Sequence, residues 1–434
     1  MKNKVLTLLT ASLLFTSTVA QQAYEPTQDN LKTRKEFQDD KFGIFIHYGI
    51  YSMLGDGEWV LHTWNLKHKE YAKLAGGFCP SKFNAAEWVA AIKASGAKYI
   101  CFTTRHHDGF SMFDSQYSNY NIVKSTPFNR DIVKELTDEC HKQNIKVHFY
   151  YSHLDWGRDD YPLGRTGGNT GRKLQENWDS YYRFMNNQLT ELLTHYGPVR
   201  AIWFDGWWDQ DQKPGFDWHL PQQYAMIHKL QPACLIGNNH HQLPYSGEDI
   251  QIFERDLPGE NTFGLSGQTI GHLPLETCET MNTSWGYKIT DNNYKSTEAL
   301  IRLLVKAAGK DANLLLNIGP QPDGCIPDAS IERLKYIGEW LKTNGETIYG
   351  TRGGVVPPRD WGVTTQKDDK IYVHILDWKD KGLFLPITDI KIKKACLFKN
   401  KENISFSQNK QGLLLQLPEV PTGVDYIIEL QQQT

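Results

Sequence analysis

The chain has 434 residues, with 47 Lys and Arg against 50 Asp and Glu, so its formal net charge is −3. The chain therefore lacks the excess of basic residues that most nucleic-acid-binding proteins have, and we expect no nucleic-acid partner. With 40% hydrophobic and 22% charged residues, the composition is that of a globular protein and excludes a disordered chain. The aromatic content of 12%, with 13 Trp, indicates either a large core or a surface that stacks on a ligand.

Residues 1–20 have the organisation of a cleavable secretory signal peptide. Lys2 and Lys4 precede an apolar stretch from Val5 to Phe15, and Thr18-Val19-Ala20 is a small-x-small cleavage site. The apolar stretch is too short to span a bilayer, and no Cys follows it closely enough to carry a lipid. We therefore expect export across the inner membrane, most simply to the periplasm, without membrane insertion.

The seven cysteines are odd in number and widely spaced, without a CxxC or zinc-type pair. Several lie in apolar runs, where buried free thiols are expected. A module built on disulfides is therefore not expected. The sequence predicts neither a cofactor nor a bound metal.

Between about residues 41 and 345, short apolar runs alternate with amphipathic stretches. Strands are predicted at Phe42–His47, Lys98–Thr103, Ile145–Ser152, Val199–Asp205, Ile250–Glu254 and Asn313–Ile318. Helices are predicted at Ala85–Ser95, Arg130–Gln143, Leu174–His195, Pro221–Leu230 and Thr297–Ala308. This alternation indicates an α/β fold, a (β/α)8-type (TIM-like) barrel. A doubly wound open sheet is the alternative, but the first strand is not followed by a Gly-rich dinucleotide turn.

After Tyr349 the pattern changes to short β-type runs separated by turn residues. They are Ile371–Leu376, Gly382–Ile387, Ile390–Phe398, Ile404–Ser407, Gly412–Leu417 and Val424–Leu430. Such spacing is typical of a small antiparallel β-sandwich. We therefore divide the chain into a signal peptide at 1–20, a catalytic barrel at 21–349 and a C-terminal β-sandwich at 350–434.

In a parallel barrel, functional side chains come from the C-terminal ends of the strands. Asp205 ends an apolar run and precedes Gly206, which allows a ligand to approach the backbone closely. A carboxylate at the wall of an aromatic pocket is what a glycosidase nucleophile requires. A helix-capping aspartate is the structural alternative.

A glycosidase also needs a second carboxyl group, which acts as general acid and base. Glu254 is the first candidate because it ends its own apolar strand, and Glu276 and Glu279 are the alternatives. Imidazole groups can bond sugar hydroxyls, and indole rings can pack on the apolar face of a sugar. The side chains suited to these two roles are His47, His106, His107, Trp59 and Trp203.

Motifs in a fixed order between about residues 40 and 345 carry a family resemblance. They are Phe45-Ile46-His47-Tyr48-Gly49, Glu58-Trp59, Thr104-Arg105-His106-His107-Asp108-Gly109-Phe110, Tyr150-Tyr151-Ser152 with Asp155-Trp156, Trp203-Phe204-Asp205-Gly206 and Leu316-Asn317-Ile318-Gly319-Pro320. Together they resemble the α-L-fucosidases of glycoside hydrolase family 29. The resemblance implies a retaining exo-α-L-fucosidase that acts on fucosylated oligosaccharides or glycans, with Asp205 as the nucleophile. It also implies a set of fucose-binding residues: His47, Glu58, Trp59, His106, His107, Tyr151 and Trp203.

One segment departs from the family pattern. Many members carry Asn-Asp-Arg where this chain has Asn238-Asn239-His240-His241, and His240 stands near the place of the missing arginine. This pattern looks most like the subfamily that acts on α-1,3/1,4-linked fucose in Lewis-type glycans. Within the resemblance, Glu254 looks most like the acid/base, and Glu276 remains the alternative.

Three other functions remain open at this stage. The first is an α-L-fucosidase of broad specificity, and the second is a non-catalytic sugar-binding protein. The third is a metal-dependent barrel hydrolase built on His47, His106, His107, His240 and Asp205. The last is disfavoured because the first strand carries no His-x-His and no helix carries His-Glu-x-x-His. The sequence gives no indication of the oligomeric state.

Overall fold

The computed structural model describes residues 24–433 and contains an eight-stranded parallel barrel sheet. Its strands are β1 (Phe42–Ile46), β2 (Tyr99–Arg105), β3 (Lys146–Ser152), β4 (Ala201–Asp205), β5 (Leu235–Asn238), β6 (Gln251–Glu254), β7 (Leu275–Thr280) and β8 (Ala312–Ile318). They lie in the order β5-β4-β3-β2-β1-β8-β7-β6, and a bridge between Gly237 and Ile250 brings β5 beside β6. The predicted barrel is confirmed.

Helices surround this sheet, as the alternating pattern predicted. They are α1 (Gln28–Asp40), α2 (Val60–Thr63), α3 (His68–Tyr71), α4 (Ala85–Ala94), α5 (Ile132–Gln143), α6 (Trp178–His195), α7 (Leu220–Leu230), α8 (Thr297–Gly309) and α9 (Asp328–Asn344). Short 3-10 turns occupy Ile50–Leu54, Ala72–Gly77, Trp207–Gln210 and Gly345–Thr347.

Helix α6 begins later than predicted because of its capping geometry. Leu174 and Glu176 adopt left-handed φ angles of 46° and 45°, which do not continue a right-handed helix. Asn177 then caps the helix by accepting a hydrogen bond from the Ser180 amide. Residues 174–177 therefore precede the helix, which begins at Trp178.

The barrel strands bury both faces, and alternate side chains point into the barrel or towards the helices. The inner layer includes Phe45, Tyr99, Cys101, Tyr150, Ala201, Trp203, Cys278 and Leu315. The outer layer packs on the helices and includes Ile44, Phe102, Tyr151, Ile202, Phe204 and Leu316. This alternation decides which residues at each strand end can face a ligand.

The C-terminal region forms the predicted antiparallel sandwich. Its strands are β9 (Arg352–Gly353), β10 (Gly362–Lys367), β11 (Lys370–Ile375), β12 (Gly382–Leu385), β13 (Ile392–Leu397), β14 (Ser405–Asn409), β15 (Gly412–Gln416) and β16 (Tyr426–Gln432). One sheet has the order β13-β16-β11-β10-β9 and the other the order β12-β15-β14. Val373, Leu385 and Leu415 belong to the core between them.

The predicted domain boundary at 349/350 falls in the segment between α9 and β9. The sandwich contacts the barrel through α8, where Arg302 donates to the carbonyl of Val424 at 2.9 Å. The predicted signal peptide at 1–20 lies outside the described residues.

The seven cysteines are free thiols: Cys79 is exposed, Cys325 is half-buried and the other five are buried. A search of residues 24–433 finds no helix with the length and apolar character needed to cross a membrane.

Candidate active site

A cavity of about 440 Å³ lies at the C-terminal ends of the barrel strands. Its volume is within the range of about 300–1,000 Å³ usual for small-molecule sites. Its lining residues are Phe45, His47, Glu58, Trp59, His106, Tyr150, Arg165, Thr166, Trp203, Asp205, Trp208, Asn239, His241, Glu254, Leu265, Cys278 and Trp285. The cavity thus brings together seven predicted site residues: His47, Glu58, Trp59, His106, Trp203, Asp205 and Glu254.

Asp205 is the last residue of β4, and its carboxylate accepts hydrogen bonds on both oxygens. Oδ1 accepts from the Gly206 amide at 2.7 Å and from Trp208 Nε1 at 3.1 Å, and Oδ2 accepts from the Tyr150 hydroxyl at 3.0 Å. Gly206 has a φ of 93°, a backbone conformation that an L-residue with a side chain rarely adopts. These donors hold a carboxylate whose side chain is 14% exposed in a fixed orientation.

Glu254 is the last residue of β6 and faces the same cavity. Its Oε2 accepts from Asn239 Nδ2 at 2.8 Å and lies 3.1 Å from His241 Nε2. Asn239 also approaches Asp205 Oδ1 at 3.5 Å, so one amide group connects the two carboxylates. Asp205 Oδ1 and Glu254 Oε2 therefore both lie within reach of the same atom, Asn239 Nδ2.

The two carboxyl groups influence each other's ionisation. Burial, with the nearby negative charge of Glu254, raises the pKa of Asp205 to about 6. Burial also acts to raise the pKa of Glu254, but the hydrogen bond and charge of His241, with Asn239 and Arg255, outweigh it and hold that pKa below its usual value. At intermediate pH the one proton of the unliganded pair therefore lies on Asp205.

His47 follows β1 and is fixed by its neighbour on β8. Its Nδ1 lies 2.7 Å from Asn317 Oδ1, which can only accept, so Nδ1 carries the proton. Burial lowers the pKa of His47 to about 3 and keeps the ring neutral. Nε2 is therefore an acceptor for a ligand hydroxyl.

His106 and His107 follow β2 and have different surroundings. His106 lines the cavity and stacks on Tyr150, with ring centroids 5.2 Å apart. His107 lies behind it, where Nδ1 contacts Ser152 Oγ at 2.7 Å and Nε2 lies 3.5 Å from Asp205 Oδ2. Burial lowers the pKa of both rings well below the usual value, so both are neutral.

Glu58 contributes a third carboxyl group to the cavity. Its Oε2 accepts from the Gly286 amide at 2.7 Å. Burial raises its pKa above the usual value, against the effect of the Gly286 hydrogen bond. A carboxyl group fixed in this way can accept from sugar hydroxyls.

Glu276 lies in the barrel interior and is bonded to Trp203. It accepts from Trp203 Nε1 at 2.9 Å and from the Tyr99 hydroxyl at 2.6 Å, and it is fully buried. Burial raises its pKa to about 7. Glu276 therefore orients the Trp203 indole, which lines the cavity, and Glu254 is the carboxyl that faces the cavity beside Asp205.

The aromatic walls extend beyond the two predicted tryptophans. Trp59 stacks on Trp208 with centroids 5.6 Å apart and an interplanar angle of 17°. Trp285 lies 5.3 Å from the His47 ring and 6.0 Å from Phe45. Part of the high aromatic content therefore lines the cavity. This agrees with the second interpretation of the composition, a surface that can stack on a ligand.

Besides His107, two predicted sugar-binding residues, Tyr151 and His240, do not line the cavity. Tyr151 points towards α6, where its hydroxyl donates to Gln188 Oε1 at 2.7 Å. The neighbouring Tyr150 faces the cavity instead, because successive side chains of β3 point to opposite faces.

His240, the second of these residues, also lies away from the cavity. Its side chain is buried, and its Nε2 lies 3.0 Å from Glu248 Oε2. His241 faces the cavity instead, since its left-handed φ of 61° turns the side chain towards Glu254. Of the two neighbouring histidines, His241 and not the predicted His240 lines the cavity.

The ligand set of the metal-dependent alternative is not assembled. His240 bonds Glu248 away from the cavity, whereas His47 uses its Nδ1 for Asn317. Within residues 24–433, no group of three or more His, Cys, Asp or Glu side chains is arranged to hold a metal ion.

Several lining residues were not predicted from the sequence. Tyr150, Asn239 and His241 adjoin residues that were named, so the strand-end motifs contained the signal without deciding between neighbours. Trp208 and Trp285 carried a weaker signal, as aromatic residues close to strand ends. Arg165, Thr166 and Leu265 belong to long loops, where no periodicity marks a functional residue.

Known proteins with this sequence pattern share one activity in their names. Residues 12–346 match the family model described as Alpha-L-fucosidase. The chain is 31% identical to an alpha-L-fucosidase of Branchiostoma floridae over 86% of each protein. It is 29% identical to the human plasma alpha-L-fucosidase over 92% of this chain and 89% of that protein.

Solved structures show the same fold over nearly the whole chain. Alpha-L-fucosidase isoenzyme 1 from Paenibacillus thiaminolyticus has a TM-score of 0.83 and 32% identity, covering 94% of this chain and all (100%) of that one. A GH29 alpha-L-fucosidase from Bacteroides thetaiotaomicron, trapped as a covalent intermediate with 2-fluoro-fucosyl fluoride, has a TM-score of 0.80 and 26% identity, covering 95% and 98%.

Proposed function

Because this chain belongs to the alpha-L-fucosidase family of glycoside hydrolases, we propose that it releases terminal α-linked L-fucose by a retaining double displacement. The observation that carries the proposal is the separation of Asp205 and Glu254, joined through Asn239. Asn239 Nδ2 lies 3.5 Å from Asp205 Oδ1 and 2.8 Å from Glu254 Oε2, so the two carboxyl groups flank a single amide group, which supports the close pair that a retaining enzyme uses.

In the first step, an Asp205 oxygen attacks the anomeric carbon of fucose and forms an ester bond. The bond from that carbon to the aglycone oxygen breaks, and Glu254 transfers its proton to the departing oxygen. Because the free site holds its proton on Asp205, this step requires that the proton pass to Glu254 when the substrate binds. Asn239 and His241 then stabilise the carboxylate that Glu254 becomes. The relative trapped as a covalent intermediate supports this pathway by analogy.

In the second step, the ionised Glu254 removes a proton from a water molecule. The water oxygen attacks the anomeric carbon, and the ester bond to Asp205 breaks, which regenerates the carboxylate. Tyr150, Trp208 and Gly206 stabilise the released carboxylate through their hydrogen bonds.

The polar groups and the aromatic rings have separate roles in holding fucose. His47, Glu58 and His106 lie where they can bond the ring hydroxyls. Trp59 and Trp203 offer apolar faces for the C6 methyl group and the C–H face of the ring. The uncharged sugar matches a cavity in which burial keeps His47 and His106 neutral.

The experiment that tests the mechanism is proton NMR of the first product formed from an aryl α-L-fucoside. The double displacement predicts that α-L-fucose is released first and then mutarotates. Initial release of the β-anomer would contradict the retaining mechanism and leave the fucosidase activity intact.

For linkage, we propose α-1,3/1,4-linked fucose of Lewis-type glycans. The motif Asn238-Asn239-His240-His241 supports this preference, because it departs from the Asn-Asp-Arg of many family members. Hydrolysis of a Lewis trisaccharide, a 2′-linked fucosyl-lactose and an aryl α-L-fucoside should be compared. Strong preference for the first substrate is expected, and comparable rates on all three would favour the broad-specificity alternative.

For location, we propose that residues 1–20 direct export to the periplasm and are then removed. The charged start, short apolar stretch and small-residue site support this proposal. Amino-terminal sequencing of the protein from cell fractions should find a chain beginning at Gln21 in the periplasm, whereas an uncleaved cytoplasmic chain would contradict it.

A further inference from the structure

The position of Glu254 determines on which side of the cavity the rest of the substrate lies. A general acid must contact the oxygen that links the fucose to its neighbouring sugar. That sugar therefore lies next to Glu254 and to the loop that follows it, residues 255–274. This inference rests on the proposed function, because it takes Glu254 as the acid.

The first half of this loop is anchored by hydrogen bonds. The Asp256 carboxylate accepts from the amides of Thr262 and Phe263, both at 3.0 Å. The Ser266 hydroxyl donates to the backbone carbonyl of Glu254 at 3.0 Å. The loop is therefore fixed to the same residue that supplies the acid.

The anchored loop carries an exposed aromatic ring two positions before a residue that lines the cavity. The Phe263 side chain belongs to a residue that is 56% exposed, and Leu265, two positions later, lines the cavity. The Arg255 guanidinium lies 5.7 Å from the centroid of the Phe263 ring and 5.0 Å from that of Trp285, which also lines the cavity. The Arg255 guanidinium thus lies near both the Phe263 ring and the Trp285 ring, which lines the cavity.

The charge of Arg255 is already engaged by this chain. Its Nη2 donates to the Thr283 carbonyl at 2.9 Å, and its Nη1 lies 3.6 Å from Glu279 Oε1. The surface that remains for a ligand is therefore the exposed ring of Phe263 with the side chain of Leu265. Such a surface favours the C–H face of an uncharged sugar.

We propose that Phe263 and Leu265 form a binding site for the sugar that carries the fucose, with Phe263 as its stacking platform. The site selects oligosaccharides with a neutral pyranose next to the fucose. It contributes nothing to a substrate whose leaving group is too small to reach the ring.

The test compares kcat/KM of the wild type and Phe263→Ala on a Lewis trisaccharide and on a small aryl α-L-fucoside. The matched control is Phe384→Ala, because Phe384 is 51% exposed on β12 of the sandwich, far along the chain from the catalytic strands. For Phe263→Ala we expect the ratio of trisaccharide to aryl fucoside kcat/KM to fall about five- to tenfold, mainly through KM, in line with a single aromatic contact. Phe384→Ala should leave this ratio unchanged.

An unchanged ratio in Phe263→Ala, or an equal loss with both substrates, would overturn the inference. The proposed linkage is judged separately, by the wild type alone. If the wild type prefers 2′-linked fucosyl-lactose, that sugar replaces the trisaccharide in the comparison, and the same change in ratio is expected. Absence of hydrolysis of every fucoside by the wild type would overturn the proposed function and this inference together.

Discussion

Glu254 and Glu276 show how two similar residues acquire different roles. Each lies in a barrel strand, and in the sequence either one satisfies the pattern of a second carboxyl group. Glu254 ends β6 and faces the cavity beside Asp205, whereas Glu276 lies near the start of β7 and is enclosed by Tyr99 and Trp203. Glu254, the proposed acid/base, therefore lies at the open end of the barrel, whereas Glu276 lies deeper and positions an indole ring.

This difference predicts opposite kinetic patterns for two alanine variants. Glu254→Ala should spare aryl fucosides with good leaving groups far more than natural glycans, because such leaving groups depart without a proton. Added azide should partly restore its activity by replacing the water that Glu254 activates. Steady-state kinetics with and without azide measures both effects.

Glu276→Ala is the matched comparison. It leaves the buried Trp203 Nε1 and Tyr99 hydroxyl without their acceptor, at a cost of about 1–3 kcal/mol in stability for each unsatisfied group. Its activity should fall equally for good and poor leaving groups, without rescue by azide. Azide rescue in Glu276→Ala and not in Glu254→Ala would show that the assignment of the acid/base is wrong.

Strand alternation decides between neighbouring residues in a way that the sequence alone does not. The segment Tyr150-Tyr151 was predicted to reach the site, but its inward member depends on the pairing of β3 with β4. In the observed register Tyr150 lies beside Trp203 and Ser152 beside Asp205, so Tyr150 points inward. Tyr151 therefore faces the helices.

Two conservative variants test this alternation. Tyr150→Phe removes a donor from the Asp205 carboxylate, so the pKa of Asp205 should rise further above about 6. Since Asp205 must be ionised to attack, the acid limb of kcat/KM should move to higher pH, and kcat should fall about tenfold or more. The measurement is a pH–rate profile on an aryl fucoside.

Tyr151→Phe should behave differently, because the Tyr151 hydroxyl bonds Gln188 and not the Asp205 carboxylate. We expect its kcat/KM to remain within about twofold and its free energy of unfolding to fall by about 1 kcal/mol. A shifted acid limb in Tyr151→Phe and an unshifted one in Tyr150→Phe would contradict the orientation of β3.

Strand β7 shows why part of the barrel was not predicted. Its sequence, Leu275-Glu276-Thr277-Cys278-Glu279-Thr280, lacks the continuous apolar run that usually marks a buried parallel strand. The polar side chains are tolerated because the barrel satisfies them, as Trp203 and Tyr99 do for Glu276. The hydrogen-bond donors come from strands distant in the sequence, so the local sequence of β7 does not reveal that its polar side chains are satisfied.

For the whole molecule, the sequence predicted the architecture better than the side-chain orientations. The alternation of strands and helices up to about residue 345 identified the barrel, and the short β runs after Tyr349 identified the sandwich. These patterns are alternations of apolar and polar residues that arise from burial. Many residues contribute to each pattern, so it can be recognised in the sequence. Left-handed φ angles such as that of His241 arise at single residues, so the choice between His240 and His241 required the structure.

The catalytic assignment of Asp205 is the central claim, and covalent labelling tests it most directly. Glu254→Gln treated with 2-fluoro-fucosyl fluoride should accumulate a fucosyl-enzyme, because loss of the base slows its hydrolysis. Peptide mapping by mass spectrometry should then place one 2-fluoro-fucosyl group on the Asp205 side chain. A label on another carboxylate of the cavity, such as Glu58, would contradict the account, as would turnover of the reagent by Asp205→Ala at the wild-type rate.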